Sequence, residues 1–195
     1  FLVLTLSGYY SSAEQALDQA MIQAVSISTT AGFATTDFSV WPTFLPIMLI
    51  FSSFIGGCAS STGGGLKVVR VCLLFLQGKR EVDRLIHPKA VYSVKFGDRA
   101  MPERVVEAVW GFFSAYAVVF VIIMIGLIAT GLDNLSAFTA TAAMLNNLGP
   151  GLGSVAANYA DVTDAGKWIL VIAMVFGRLE VFSLLVLFSP TFWRS

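Results

Sequence analysis

The pattern of apolar and polar positions divides the chain into long uncharged runs and shorter apolar segments that end in glycine turns. No charge falls between positions 38 and 66, and none between 108 and 132, where the run 118–128 is nearly all aliphatic and aromatic. A third stretch, 168–193, carries Arg178 and Glu180 near its middle and has Trp168 and Trp193 at its ends. Crossing about 30 Å of hydrocarbon takes about 20 helical residues. The three runs therefore predict membrane helices, with the two indoles at headgroup level. The chain opens Phe1-Leu2-Val3-Leu4-Thr5-Leu6, without a Met or the charged start of a signal peptide. That opening reads as the tail of a further membrane helix, so a fragment of a longer chain is expected.

The shorter segments repeat one plan. Ser11-Ser12-Ala13-Glu14 reads as a capping box with Ser11 as N-cap. It opens a helix at 13–29 that stops at Thr30-Ala31-Gly32-Phe33. Asp133 can cap a second helix at 134–146, which stops at Asn147-Leu148-Gly149-Pro150-Gly151. Setting Gly32 against Gly149 gives an internal period of 149 − 32 = 117 residues. A short helix followed by irregular backbone at membrane depth is tolerated only inside protein or beside a watery cavity. Backbone carbonyls in such a turn can replace the water shell of a cation, and glycine permits the angles that point them inward. The C-terminal end of the short helix adds partial negative charge. Taken singly, each turn reads better as a plain helix C-cap; the second copy at the matching place reverses that in favour of an ion site.

Composition agrees. The 195 residues are 56% hydrophobic and 12% charged, against roughly 25% charged in soluble domains. A net charge of zero gives no sign of nucleic-acid binding. Cys58 and Cys72 lie in apolar stretches and read as small hydrophobes, and the single His87 lacks ligand-type neighbours. No Ser–His, Asp–Asp or His–metal arrangement is present, so an enzyme is not expected. Nine of the twelve Lys and Arg residues are Lys67, Arg70, Lys79, Arg80, Arg84, Lys89, Lys95, Arg99 and Arg104. Their clustering puts the 78–100 connector in the cytoplasm.

A pore helix, a Thr-x-Gly turn and an inner helix are followed by Gly56-Gly57-Cys58-Ala59-Ser60-Ser61-Thr62-Gly63-Gly64-Gly65-Leu66-Lys67. This order resembles the TrkH/KtrB family of potassium uptake proteins. Phe176-Gly177-Arg178-Leu179-Glu180 and Phe192-Trp193-Arg194 resemble its TrkH branch. The resemblance implies an all-α integral membrane fold of tandem helix–pore-helix–filter–helix repeats, potassium-channel-like, four to a pore. The chain would hold the third repeat at 1–97 (pore helix 13–29, filter 30–33, broken inner helix 41–77, connector 78–100). The fourth would occupy 98–195 (outer helix 102–131, pore helix 134–146, filter 147–151, inner helix 164–193). Carried over by position, Thr30, Ala31 and Gly32 and then Asn147, Leu148 and Gly149 would bind K+ through backbone carbonyls. Asn147 and Pro150 depart from the Thr-x-Gly-Phe pattern. The resemblance further implies a multi-pass protein of the bacterial inner membrane, a homodimer, and a cytosolic nucleotide-binding regulator of TrkA type. The lipid bilayer surrounds it, and the missing first half of the pore must come from elsewhere.

Two costly features remain. Gly63-Gly64-Gly65 interrupts an apolar stretch, at about 1 kcal/mol per glycine against alanine. It is either a helix-to-loop boundary or, as the resemblance implies, an intramembrane gating loop formed by Ser60, Ser61, Thr62, Gly63, Gly64, Gly65 and Lys67. The Gly-Gly-Gly-Leu-Lys order lacks the Ser or Thr after lysine that a phosphate-binding loop requires. Arg178 lies about ten residues below Trp168, roughly 15 Å down the span, where a guanidinium costs about 2.5–3.5 kcal/mol or more. It is either half of a structural ion pair with another helix or a cation barrier facing the ion path. An ion-coupled secondary transporter using Glu180 stays open as the alternative.

Overall fold

The computed structural model describes residues 1–42, 44–58, 61, 63–87, 90, 92–97 and 99–179. Its centre is a helix of small residues. α6 (Asn134–Leu145) begins at Asp133, whose carboxylate accepts the Ser136 N–H at 3.1 Å. Nine of its residues are buried, among them Ala137, Ala140, Ala142 and Ala143, and such short side chains let neighbouring backbones approach closely. One face of α6 packs with α5 (Glu103–Ala129) and α7 (Asp164–Arg178) through Phe112, Tyr116, Leu127, Leu145 and Leu170. The other joins α2 (Ala13–Ser28) and α3 (Leu45–Ile55) through Ile27, Leu49, Ile50, Ala143 and Leu148. The short α1 (Leu2–Leu6) adds Leu4 to this second cluster.

α5 is the membrane-spanning candidate among the described residues. Its 27 residues extend roughly 40 Å at about 1.5 Å each. Only 22% of its most apolar window is buried, while Val118, Val121, Ile122 and Ile125 are exposed. A core helix of a soluble protein would hide that surface; here it suits lipid tails.

Several boundaries differ from the sequence expectations, each for a local reason. The N-cap of α2 is Ser12, not Ser11: Ser12 Oγ accepts the Gln15 N–H at 3.2 Å, and Ser11 Oγ bonds the Gln15 side chain instead. The uncharged run 38–66 is not one span. It holds a 3-10 turn (Phe38–Val40), the 11-residue α3 with proline in its first turn, and a loop from Gly56 to Lys67. The inner helix, expected as broken over 41–77, is two helices, and the second, α4 (Val68–Ile86), runs past 77 into the connector. Side-chain pairs one turn apart sustain that extension: Gln77 Nε2 donates to Glu81 at 2.7 Å, and Arg84 sits 3.5 Å from the same carboxylate. Arg80 bridges to Glu103 at 3.7 Å, fastening α4 to the start of α5. The expected all-α content is broken once among the described residues. β1 (Lys95–Phe96) pairs antiparallel with β2 (Arg99–Ala100) in the connector. The inner helix expected at 164–193 is described as far as Arg178; Glu180 and its sequel, like Ser60 and Thr62, lie outside the described residues.

Candidate functional site

The turns that close α2 and α6 are copies of each other, residue for residue, at an offset of 117. Thr30 N–H bonds the Ile27 carbonyl at 3.1 Å and Ala31 N–H the Ser26 carbonyl at 2.8 Å. In the second copy Asn147 N–H bonds Met144 at 3.1 Å and Leu148 N–H bonds Ala143 at 2.7 Å. This is the Schellman pattern, in which the residue after the C-cap turns left-handed. That residue is normally glycine, yet here Thr30 has φ +57° and Asn147 has φ +54°. Asparagine tolerates this region; a β-branched threonine does so at a cost of about 1–3 kcal/mol. Gly32 and Gly149 then take positive φ themselves, +78° and +106°. The turns are therefore C-caps, but strained beyond what capping needs.

The helix-end carbonyls of Ser26 and Ala143 are used up inside the turns. Among the described residues, no hydrogen bond reaches the carbonyls of Thr30, Ala31, Gly32, Asn147 or Leu148. Such a set of backbone oxygens can serve as cation ligands without competition from the protein's own N–H groups. The two turns also touch: a Cβ on Gly32 would collide with the Leu148 carbonyl. Close backbone contact and positive φ both require glycine there.

The loop after α3 lies against both turns. Gly64 N–H donates to Thr30 Oγ1 at 3.0 Å in a buried contact, so the strained threonine is held from the loop side. A Cβ on Gly64 would overlap the Asn146 carbonyl at the end of α6, and one on Gly177 would overlap the Leu145 carbonyl. Arg178 ends α7 one residue further on. Ser61, Gly63, Gly64 and Arg178 together border two cavities. One, of about 180 Å³, continues to Gly65 and Lys67; the other, of about 240 Å³, reaches Thr29, Thr30, Ala31 and Asn147. The turn residues, the glycine run and Arg178 thus meet in one place.

Sequence reasoning missed the groups that hold these turns. Tyr116 Oη donates to Asn146 Oδ1 at 2.7 Å, and Asn146 Nδ2 donates to Ser53 Oγ at 2.9 Å. This buried chain ties α5, α6 and α3 together at the root of the second turn. Asn147 Nδ2 donates to the Met174 carbonyl of α7 at 3.3 Å. Ser26 Oγ holds the Phe33 carbonyl at 2.6 Å, and Tyr159 Oη holds that of Gly149 at 2.8 Å. Burial raises the Tyr159 phenol above its usual pKa, keeping it a protonated donor. No group of three or more metal-ligating side chains occurs among the described residues.

Residues 6–195 match the family model TrkH, described as a cation transport protein. The chain is 65% identical over 195 residues to the Trk system potassium uptake protein TrkH of Vibrio parahaemolyticus, covering all of this chain and 40% of the relative. It is 62% identical over 194 residues to TrkH of Escherichia coli K12, again covering 40% of that protein. TrkG of the same strain is 42% identical over 172 residues, 88% of this chain and 36% of TrkG. The crystal structure of the potassium transporter TrkH from Vibrio parahaemolyticus superposes with a TM-score of 0.92, covering 99% of this chain and 41% of that one. The chain thus spans about 40% of the length of the curated relatives it matches.

Proposed function

The chain belongs to the TrkH family of cation transport proteins, and on that premise we propose that it forms the third and fourth pore repeats, 1–97 and 98–195, of a subunit that conducts potassium into the bacterial cell. Thr30, Ala31 and Gly32 supply filter carbonyls from one repeat; Asn147, Leu148 and Gly149 supply them from the next. The duplicated turn carries this reading: two helix ends closed by a non-glycine residue at positive φ, 117 residues apart and in contact, whose Thr30, Ala31, Gly32, Asn147 and Leu148 carbonyls accept no hydrogen bond among the described residues. Backbone oxygens of this kind dehydrate a cation without chemistry on it. The relatives, too, are named as transport proteins rather than enzymes.

Below the filter, the loop 60–65 with Lys67 and Arg178 forms the gate. The Gly64–Thr30 hydrogen bond and the shared cavities support this role. A fixed guanidinium beside that opening repels a cation until loop or helix moves. Two turns do not close a ring of four, and α2 leaves Leu17, Met21, Ile22 and Val25 exposed where nine of the twelve residues of α6 are buried. The other half of the pore covers that face. The protein crosses the inner membrane several times, with Arg80, Arg84 and their neighbours cytoplasmic. It pairs as a homodimer and meets a TrkA-type nucleotide-binding regulator from that side.

The test is flux through the full-length protein in proteoliposomes. Gly32→Asp, which adds bulk against the Leu148 carbonyl and a charge in the filter, is expected to abolish uptake or potassium-over-sodium discrimination. A folded Gly32→Asp protein with unchanged discrimination removes Gly32 from the filter.

A further inference from the structure

The two turns are held by different means. Gly32 is wedged by its neighbours: a Cβ would strike the Leu148 carbonyl and lie 3.7 Å from Pro150 Cδ. One residue on, Ser26 Oγ fixes the Phe33 carbonyl. Gly149 has no such wall, since a Cβ there would meet nothing within 4 Å. Its φ of +106° belongs to a broad region open to glycine alone. The next residue is Pro150, whose nitrogen carries no hydrogen to bond. By steric measure this is the loosest peptide of the two turns. Among the described residues, one hydrogen bond reaches its carbonyl, the 2.8 Å contact from Tyr159 Oη.

Resting on the filter reading above, we propose that Tyr159 is a specificity-determining positioning residue, whose phenol tethers the Gly149 carbonyl and stops the fourth-repeat filter from contracting around an ion smaller than potassium. The tether is anchored. The Tyr159 ring packs on the core shared by α5, α6 and α7, and its carbonyl accepts the Val162 N–H at 3.3 Å. The adjoining turn is closed by Asn158 Oδ1 to Ala160 N–H at 2.9 Å and by Lys167 Nζ to the Ala160 carbonyl at 3.1 Å. Tyr159 Oη also lies beside Gly151, where a Cβ would stand 3.4 Å from it in ordinary contact. A carbonyl oxygen has two lone pairs, so the phenol takes one and leaves the other for an ion. Sodium is the smaller ion, and binding it well would require the carbonyls to move inward. A bond from a rigid, core-packed ring opposes that movement. Wedging does this work at Gly32 and the phenol does it at Gly149.

Tyr159→Phe removes one oxygen and keeps the ring in its packing, so the variant folds. In full-length protein reconstituted in liposomes, the potassium-to-sodium permeability ratio is expected to fall about two- to tenfold, the size of one net hydrogen bond expressed in a single ion's favour. Potassium flux itself changes less, because the larger ion already holds the carbonyls apart. The ratio is independent of how much protein is active, so a merely structural loss does not move it. Gly32→Asp runs alongside. If it destroys discrimination while Tyr159→Phe leaves the ratio unchanged or raised, the tether is overturned and the filter stands. If neither variant alters the ratio, the filter reading fails and the tether falls with it.

Discussion

Gly64→Ala puts the proposed gate under direct steric load. The added methyl would overlap the Asn146 carbonyl, a backbone atom at the end of a fully packed helix, so the loop must yield rather than α6. Overpacking of this kind costs about 1–3 kcal/mol. Moving the loop also breaks the buried 3.0 Å bond to Thr30 Oγ1, worth about 1 kcal/mol. The closed loop therefore loses about 2–4 kcal/mol against any displaced arrangement. At 1.4 kcal/mol per tenfold, that shifts the loop equilibrium by roughly 30- to 700-fold. Basal potassium flux without a regulator should rise at least about tenfold, limited by how far the displaced loop opens the path. Gly78→Ala is the matched control: it lies in α4 with nothing within 4 Å. There it should add about 1 kcal/mol of helix stability and leave flux alone. Tracer rubidium or potassium uptake into liposomes, on protein verified as folded, reads both. A folded Gly64→Ala protein with basal flux at or below that of the parent would refute the loop as a closed gate.

Arg178→Ala should likewise raise basal flux and weaken dependence on any cytosolic regulator; normal flux and regulation in a folded variant would make Arg178 a structural partner only. A cysteine replacing Lys79 should react with an impermeant thiol reagent only from the cytoplasmic side, and labelling from outside would invert the topology. Asp133 is held below its usual pKa chiefly by the Ser136 hydroxyl and backbone N–H, so its cap stabilises fully above the unfolded carboxylate pKa, near 3.9, and is lost as pH falls through the lower folded value. Asp133→Asn keeps an acceptor at the N-cap, so thermal melts over roughly pH 2–6 should show less acid destabilisation in the variant than in the parent.

Local signals carried the sequence reading furthest where structure is local. The second short helix was expected at 134–146 and is observed at Asn134–Leu145, because an N-cap aspartate, an Ala/Thr-rich body and a Gly-Pro-Gly stop all point one way. The 117-residue offset was legible from Gly32 and Gly149 alone. Beyond that the signal thins. Two adjacent serines compete for the α2 cap, and sequence does not say which one turns. The expected connector begins as helix, where Arg84 pairs with Glu81 one turn back at 3.5 Å and Arg80 reaches the same carboxylate at 3.6 Å. The groups that hold the two turns are invisible in sequence for a plainer reason. Tyr116 and Asn146 are 30 residues apart and Asn146 and Ser53 are 93 apart, so no window along the chain contains the contact. Tyr159 sits only 10 residues from Gly149, but its neighbours are polar turn residues, and nothing in them marks a hydroxyl aimed at a carbonyl.

Why the loop, the inner helix and the filter should all meet at the end of α6 follows from what that end offers. A helix terminates with carbonyls that its own N–H groups do not reach, and here three backbones crowd them. Gly64 lies on the Asn146 carbonyl, Gly177 on that of Leu145, and Gly32 on that of Leu148 in the turn beyond. Each approach is possible only without a Cβ, so each glycine is explained by contact rather than by flexibility. The Tyr116–Asn146–Ser53 chain fastens this end to α5 and α3, and the nine buried residues of α6 leave it no direction in which to yield. The end of α6, up to Asn146, is therefore the fixed reference of the site. Among the described residues, the loop meets these turns through the Gly64 bond to Thr30 and the close approach of Gly64 to the Asn146 carbonyl, and in the proposed gate it is the part that leaves. Motion of the loop would release the Thr30 hydroxyl from Gly64 N–H, so in the proposed pore opening the gate would also free the first of the two turns. Under the proposed reading, conduction and selectivity would then be coupled through the Thr30 hydroxyl.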